Sequence, residues 1–190
     1  MILAKIIFFI SIVAWFFPLF KQYKHNYFYY FLILALTDPI SYLLVKLFRF
    51  DVERSLLIAA LLMVFSFISF YKKHFASYSL IIFISGLVTF TYIPINDYIS
   101  KFLILVFLLV IVYLVLKAMI VDAMKEKSMS LFYLVLFVYV LSLTLKFYIE
   151  LTLVMDSFIY FYITTGFEIL AAIFFSLYNE ENCKRIKLES

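Results

Sequence analysis

The chain is poor in the residues on which disulfide-bonded and metal-dependent proteins rely. Among its 190 residues there are one cysteine, two histidines, two glycines and three prolines, and 15% of the residues are charged. A single cysteine, Cys183, excludes an internal disulfide. The two histidines, His25 and His74, both fall between the apolar stretches, so a buried pair of haem ligands is missing. We therefore expect no cofactor and no metal.

Sequence signatures of catalysis are also missing. The chain contains no HExxH, no GxSxG and no glycine-rich phosphate loop. The last apolar stretch has no lysine that could form a Schiff base. Asp97 and Asp122 are isolated, whereas lipid-transferring enzymes that bind Mg²⁺ need clustered aspartates. We expect no enzymatic activity.

Apolar residues, by contrast, are abundant and continuous. Hydrophobic residues make up 67% of the chain, and the mean hydropathy is +1.12. A soluble domain of this size buries only about 70% of the surface of its chain, which is too little for such a composition. Runs of about 20 apolar residues are long enough to cross a bilayer as helices. The sequence therefore predicts an all-α, polytopic integral membrane protein, with the lipid bilayer as its main partner.

Seven transmembrane helices are predicted, and together they form a single domain over residues 1–178, followed by a short polar tail, 179–190. The helices are expected at Ile2–Phe20, Tyr27–Phe48, Ser55–Tyr71, Ser77–Pro94, Phe102–Val121, Ser130–Ile149 and Ser157–Tyr178. Aromatic residues near the ends of transmembrane helices commonly anchor them at the membrane interfaces. This role is expected here of Trp15, Tyr23, Tyr27 and Tyr178.

The distribution of basic residues predicts the orientation, since cytoplasmic loops carry an excess of lysine and arginine. Ten basic residues fall on the side of the C-terminal tail: Lys21, Lys24, Lys72, Lys73, Lys117, Lys125, Lys127, Lys184, Arg185 and Lys187. Six fall on the other side: Lys5, Lys46, Arg49, Arg54, Lys101 and Lys146. The N-terminus is thus expected outside and the tail in the cytoplasm, in a bacterial inner membrane. This topology also explains the pI near 9.0 without a nucleic-acid partner.

Two acidic residues interrupt the apolar pattern at the same estimated depth. Asp38 lies near the middle of the second predicted helix, and Glu168 lies near the middle of the seventh. An acid at the bilayer centre costs about 2.5–3.5 kcal/mol on insertion scales, and such residues usually face the interior of a helix bundle. They have two readings: a pathway for an ion or solute, or interhelical hydrogen bonds that are purely structural.

The neighbours of Asp38 suggest a polar network on the second helix. Ser41 and Tyr42 lie one turn further along on the same face. Pro39 removes a helical hydrogen bond, so we expect a kink beside the acid.

The neighbours of Glu168 suggest a similar network on the seventh helix, where Thr164 and Thr165 precede it by one turn. No cation is expected at this depth, so desolvation favours the neutral acids. Lys146 and Glu150 are spaced i,i+4, and we expect them to form an interfacial ion pair with each other.

A weak internal repeat relates the two ends of the chain. Residues 27–48 can be aligned with residues 130–151, and each segment lies within a three-helix unit on either side of a lone fourth helix. The plan resembles the 3+1+3 arrangement of the PQ-loop and SWEET sugar-transporter class, which also has an outside N-terminus. Pro18 with Lys21 and Lys24 resembles the Pro-Gln start of the motif of that class, and the segment 127–130 resembles the one that follows the second copy of the motif. The Pro-Gln pair of that class is absent from both halves. The composition also resembles small seven-helix bacterial membrane proteins, which implies no assigned activity.

Two functions remain open. In the first, the protein moves a small polar solute or protons, with Asp38 and Glu168 as protonatable residues and Pro39 as the bend in the helix. Alternatively, it is a sensory or scaffolding module that signals to a protein partner through its loops and tail.

Overall fold

The computed structural model describes residues 2–48, 51–71, 96–152 and 157–187. Over these ranges the chain is all-α, as predicted, with one small pair of β-strands. The six helices are α1 (Ile2–Gln22), α2 (Phe28–Phe48), α3 (Val52–Tyr71), α4 (Asp97–Glu126), α5 (Leu131–Thr152) and α6 (Ser157–Leu177). They match six of the predicted spans. The predicted fourth span, Ser77–Pro94, lies outside the described residues.

Helix α4 is longer than hydrophobicity alone predicts, with 30 residues, because its ends are set by capping. At its start, the Asn96 side chain accepts a hydrogen bond from the Tyr98 amide at 3.3 Å, which is a standard N-cap arrangement. At its end, Lys127 adopts a left-handed conformation, with φ of 49°. The apolar run therefore continues as helix through charged turns at both ends.

The six helices form a closed ring in chain order. Each helix packs on the next, and α6 returns to pack on α1. Helices α1 and α6 are parallel, since Ser11 meets Glu168 in their middle and Gln22 meets Tyr178 at their ends. Short connections make α2 antiparallel to α1 and α3, and α5 antiparallel to α4 and α6. The ring thus contains two three-helix units of the same up-and-down sense, α1–α3 and α4–α6.

The two ends of the ring differ. We call the end with Asp51, Asn96 and Thr152 the open end, and the end with Gln22 and Lys127 the tail end. Helices α1, α3, α4 and α6 run from the open end to the tail end, whereas α2 and α5 run back.

The outer surface of the ring is strongly apolar. Over the described residues, five helices are long and apolar enough to cross a membrane: α1, α2, α4, α5 and α6. Large apolar side chains point outward, such as Phe20 (82% exposed) and Met124 (77%). A surface of this kind needs lipid rather than water around it. The chain therefore has the features of a membrane protein.

Aromatic rings fill the half of the ring nearest the tail end. We call this set the aromatic cluster; its ring centroids lie 4.8–5.7 Å from their neighbours, and its members are Tyr27, Tyr30, Phe31, Phe67, Phe132 and Phe175. All six side chains are buried. They come from α2, α3, α5, α6 and the turn before α2, so they hold these elements together.

The polar tail is folded onto the tail end as far as residue 187. Strand β2 (Arg185–Lys187) pairs antiparallel with β1 (Ser128–Ser130), which lies between α4 and α5. Arg185 forms an ion pair with Asp122 at 2.6 Å and also donates to the Ser128 hydroxyl at 2.9 Å. Cys183 is buried, although hydrophobicity placed it in a polar segment. The tail thereby fixes the junction of α4 and α5.

Candidate functional site

A cavity of about 490 Å³ lies within the ring and is bounded by residues of all six helices. Towards the open end it reaches exposed side chains, Val52 and Glu150, so it opens there. Towards the tail end its boundary includes the buried rings of Trp15 and Tyr139. These two rings pack 4.9 Å apart, and Trp15 also contacts Phe31 of the aromatic cluster. The cavity is therefore open at one end and closed by aromatic packing at the other.

Six ionisable side chains line this cavity, and carboxyls outnumber ammonium groups by four to two. The carboxyls and ammonium groups are those of Asp38, Glu53, Lys101, Lys146, Glu150 and Glu168. They come from α2 to α6, so the ring gathers charges that are far apart in the sequence. This concentration of charge in an apolar protein identifies the cavity as the candidate functional site.

Glu168 is held by partners from two other helices. Its Oε1 lies 3.3 Å from the Lys146 ammonium on α5. Its Oε2 accepts a hydrogen bond from the Ser11 hydroxyl on α1 at 3.5 Å. The expectation that no cation reaches the depth of Glu168 is therefore wrong. Lys146 pairs with Glu168, and not with Glu150 as its i,i+4 spacing predicts.

The direction of the helices explains this pairing. Lys146 is six residues from the end of α5, about 9 Å along the helix, and Glu168 is about 16 Å from the start of α6. Side chains tilt towards the N-terminus of their own helix. In antiparallel α5 and α6, the lysine therefore leans deeper into the ring while the glutamate leans towards the open end. The long lysine side chain spans the remaining difference in depth.

Asp38 lies ten residues from either end of α2, at the mid-depth that the sequence predicts. Its carboxyl is half-buried and lines the cavity. It is close enough to interact electrostatically with both Glu168 and Lys146. Within the described ranges it has no hydrogen bond and no ion pair. Asp38 is thus a carboxyl without a fixed partner that faces an open cavity.

The residues predicted to surround the two acids have different roles. Ser41 accepts a hydrogen bond from the Ser55 hydroxyl at 2.8 Å, which joins α2 to α3. Thr164 donates to its own helix, to the carbonyl of Tyr160 at 2.9 Å. Ser41, Tyr42 and Thr165 line the cavity together with both acids, whereas Thr164 is not among its lining residues.

Helix α2 continues through Pro39. Because proline lacks an N–H, the carbonyl four residues earlier, on Ala35, has no helical donor.

Two aromatic residues of the ring interior were misassigned from the sequence. Trp15 and Tyr27 are 5% and 3% exposed and lie inside the ring, so they are not interfacial anchors. Tyr23 and Tyr178 are exposed, as expected of anchors. The distance of a residue from the end of its helix indicates how deep the residue lies, but it does not indicate whether the side chain faces the neighbouring helices. Ala171 and Ala172 are both buried on α6, as small residues at close helix contacts commonly are.

A second polar group lies at the tail end, around His25. The Nε2 of His25 is 2.9 Å from the Asn179 amide nitrogen, and the Nδ1 of His25 is 3.7 Å from the Glu181 carboxylate. The Asn26 amide donates to Glu180 Oε1 at 3.4 Å, while Glu180 Oε2 is buried without a hydrogen bond. One ligand atom each from His25, Glu180 and Glu181 could meet at a metal ion. The ring nitrogen bound to Asn179 leaves only one side of His25 for such a role.

The stability of this group is expected to depend on pH. Burial raises the pKa of Glu180 above its ordinary value, opposed by the Asn26 amide and by His25. A carboxyl with a raised pKa in the folded chain destabilises the fold as pH rises past its ordinary pKa, about 4.3. Glu180→Gln removes this penalty. We expect it to stabilise the fold at pH 7 by less than about 1 kcal/mol, since the side chain is partly exposed, and to have no effect near pH 4.

Thermal unfolding of the purified protein at both pH values measures this difference. Glu181→Gln is the matched control, because it changes the net charge equally at an exposed neighbouring position. A lower melting temperature for Glu180→Gln at pH 7 would contradict the prediction.

Comparisons of the chain with known protein families, with curated proteins and with solved structures find no match in any of the three.

Proposed function

We propose that the chain is a membrane transport protein that moves a small polar solute or protons through the central cavity. The observation that carries this proposal is Asp38, a half-buried carboxyl without a fixed partner, midway along α2 and facing a cavity open at one end. An acid at this depth is costly to insert and marks solute or ion pathways in many membrane proteins. A purely structural acid would be expected to have a hydrogen-bond partner.

In this proposal there are seven membrane crossings, and the open end faces the exterior. Helix α3 ends at the tail end and α4 begins at the open end, so residues 72–95 join opposite ends of the ring. Their 24 residues include the predicted span Ser77–Pro94, which is long enough for one more crossing. The excess of basic residues at the tail end supports a cytoplasmic position for that end.

Transport requires the aromatic packing at the tail end to open while the open end closes. Proline residues interrupt the backbone hydrogen bonds of two helices that border the cavity, at Pro18 in α1 and Pro39 in α2. Bending at Pro39 would move the tail-end half of α2, which carries Tyr30 and Phe31 of the aromatic cluster.

The proposal is tested by reconstituting the purified protein into liposomes that contain a pH-sensitive dye and imposing a pH gradient. We expect proton flux above that of protein-free liposomes. Asp38→Asn is expected to lower this flux at least about tenfold, because it removes the protonatable group from the cavity. Asp97→Asn is the matched control, since Asp97 is an exposed acid at the open end and does not line the cavity.

Wild-type flux equal to that of protein-free liposomes would overturn the proposal. Equal flux in the wild type and in Asp38→Asn would remove the role of Asp38. Size-exclusion chromatography of each variant before reconstitution shows whether a loss of flux reflects a loss of fold.

A second function, signalling to a protein partner, is favoured by one observation at the tail end. Strand β2 is exposed along its whole length and is paired on one edge only within the described residues. An exposed edge of this kind can accept a further strand from a partner. Absence of flux together with specific crosslinking of a partner through Ile186 would favour this alternative.

A further inference from the structure

The balance of charges in the cavity indicates the sign of its ligand. Four carboxyls and two ammonium groups line it, and one ammonium, that of Lys146, is already paired with Glu168. Two of the four carboxyls, those of Glu53 and Glu150, lie towards the open end. A cavity with walls of low dielectric concentrates counter-ions of the opposite sign. A cation is therefore attracted, while an anion meets an excess of carboxylates.

The remaining surface of the cavity suits an organic ion rather than a bare metal ion. Within the described residues, the only group that gathers three or more metal-ligating atoms is the one around His25, at the tail end. No three of the four cavity carboxyls therefore lie close enough together to share one metal ion. A larger cation with its charge at one end can contact Asp38 or Glu168 while its hydrocarbon part lies elsewhere in the cavity.

Aromatic and aliphatic side chains supply that hydrocarbon surface. Six aromatic residues line the cavity: Phe8, Trp15, Tyr42, Tyr139, Phe147 and Phe161. Aromatic faces attract cations within about 6 Å, and tryptophan does so most strongly. A volume of 490 Å³ lies within the range of about 300–1,000 Å³ that is typical of small-molecule sites.

We propose that the cavity binds an organic cation, a protonated amine or a quaternary ammonium group, on the carboxylates of Asp38 and Glu168. The Lys146 ammonium, 3.3 Å from Glu168, acts as a built-in counter-ion that the ligand displaces. The inference deepens the proposed transport function, because it names the class of solute. Binding to the cavity nevertheless requires no transport and can be measured by itself.

The experiment uses three probes of similar size: benzyltrimethylammonium, its neutral carbon isostere neopentylbenzene, and the anion phenylmethanesulfonate. Affinity for each is measured with the full chain in lipid nanodiscs, after subtraction of binding to protein-free nanodiscs. Trp15 is the single tryptophan of the chain and lines the cavity, so its fluorescence reports whether a bound probe lies there.

We expect the cation to bind at least about tenfold more tightly than either other probe, a difference of about 1.4 kcal/mol. Asp38→Asn should reduce this preference about tenfold, whereas the exposed control Asp97→Asn should leave it unchanged. Lys146→Met should raise the affinity for the cation several-fold, because Glu168 loses its competing ammonium. An anion site would instead lose its affinity in Lys146→Met, so this variant separates the two signs of ligand.

Equal binding of the three probes, or weaker cation binding in Lys146→Met that folds like the wild type, would overturn the inference. Preferential cation binding without any flux in liposomes would leave the inference standing and contradict the transport function. Proton flux with no preference for the cation would contradict the inference and leave the transport function standing.

Discussion

Glu168→Gln is expected to lower the free energy of unfolding by about 2–3 kcal/mol. The substitution keeps the shape of the side chain but leaves the Lys146 ammonium without its partner inside the ring. Breaking a fully buried ion pair in this way costs about 3–5 kcal/mol. The cost is smaller here because the Lys146 side chain is 27% exposed. Unfolding of the purified protein in bicelles with a denaturing detergent measures the difference.

A double-mutant cycle with Lys146→Met isolates the pair itself. Lys146→Met alone should cost less than Glu168→Gln, because Glu168 keeps its hydrogen bond from the Ser11 hydroxyl, whereas Glu168→Gln leaves the Lys146 ammonium without its ion-pair partner. The double variant should be more stable than Glu168→Gln alone. Glu150→Gln is the matched control, since helical spacing alone would make Glu150 the partner of Lys146. A larger loss in Glu150→Gln than in Glu168→Gln would contradict the pairing.

Gln22→Met is expected to cost about 2–4 kcal/mol, because Gln22 closes the tail end between α1 and α6. Its side chain is fully buried, and its amide nitrogen donates to the Phe175 carbonyl at 3.0 Å and the Tyr178 carbonyl at 2.8 Å. These carbonyls lie in the last turn of α6 and just beyond it, where no following helical amide is available to donate a hydrogen bond. Methionine has a similar volume but removes the donor from the buried contact with Phe175 and from the partly buried contact with Tyr178, and a buried carbonyl left without a donor costs about 1–3 kcal/mol.

The matched control for this prediction is Ser176→Ala in the same turn. The Ser176 hydroxyl donates to the Ala172 carbonyl of its own helix at 2.6 Å, so its loss should cost less than about 1 kcal/mol. Both variants are compared in the same unfolding measurement. Similar losses in the two would indicate that the Gln22 hydrogen bonds do not join the helices.

The positions and depths of the helices could be predicted from the sequence because each depends on local hydrophobicity. Asp38 and Glu168 could be singled out for the same reason, because an acidic residue within an apolar run is identifiable whichever way the helix faces. Both line one cavity, together with Ser41, Tyr42 and Thr165. Neither the orientation in the membrane nor the count of seven helices follows from the described residues, so both remain predictions.

Contacts across the ring could not be read from hydrophobicity. Lys146 was assigned to its nearest acid along the helix, although its partner is on the next helix and deeper. Trp15 was assigned to an interface from its distance to the helix end, although it faces Tyr139 inside the ring. The pairing of β2 with β1 joins segments more than 50 residues apart, and nothing in either segment alone indicates it. Such features depend on which helices are neighbours.

Closure of the ring through α1 and α6 has a consequence for biosynthesis. Ser11 and Glu168 are 157 positions apart, so a ribosome adding about 5–20 residues per second completes the second of them about 10–30 seconds after the first. Throughout that interval α1 must stay in lipid without its final neighbour. Glu168, by contrast, follows Lys146 by only 22 positions and can meet its counter-charge soon after it is inserted. Glu168 is therefore inserted soon after Lys146, which neutralises it. The contact between α1 and α6 forms at the end of synthesis.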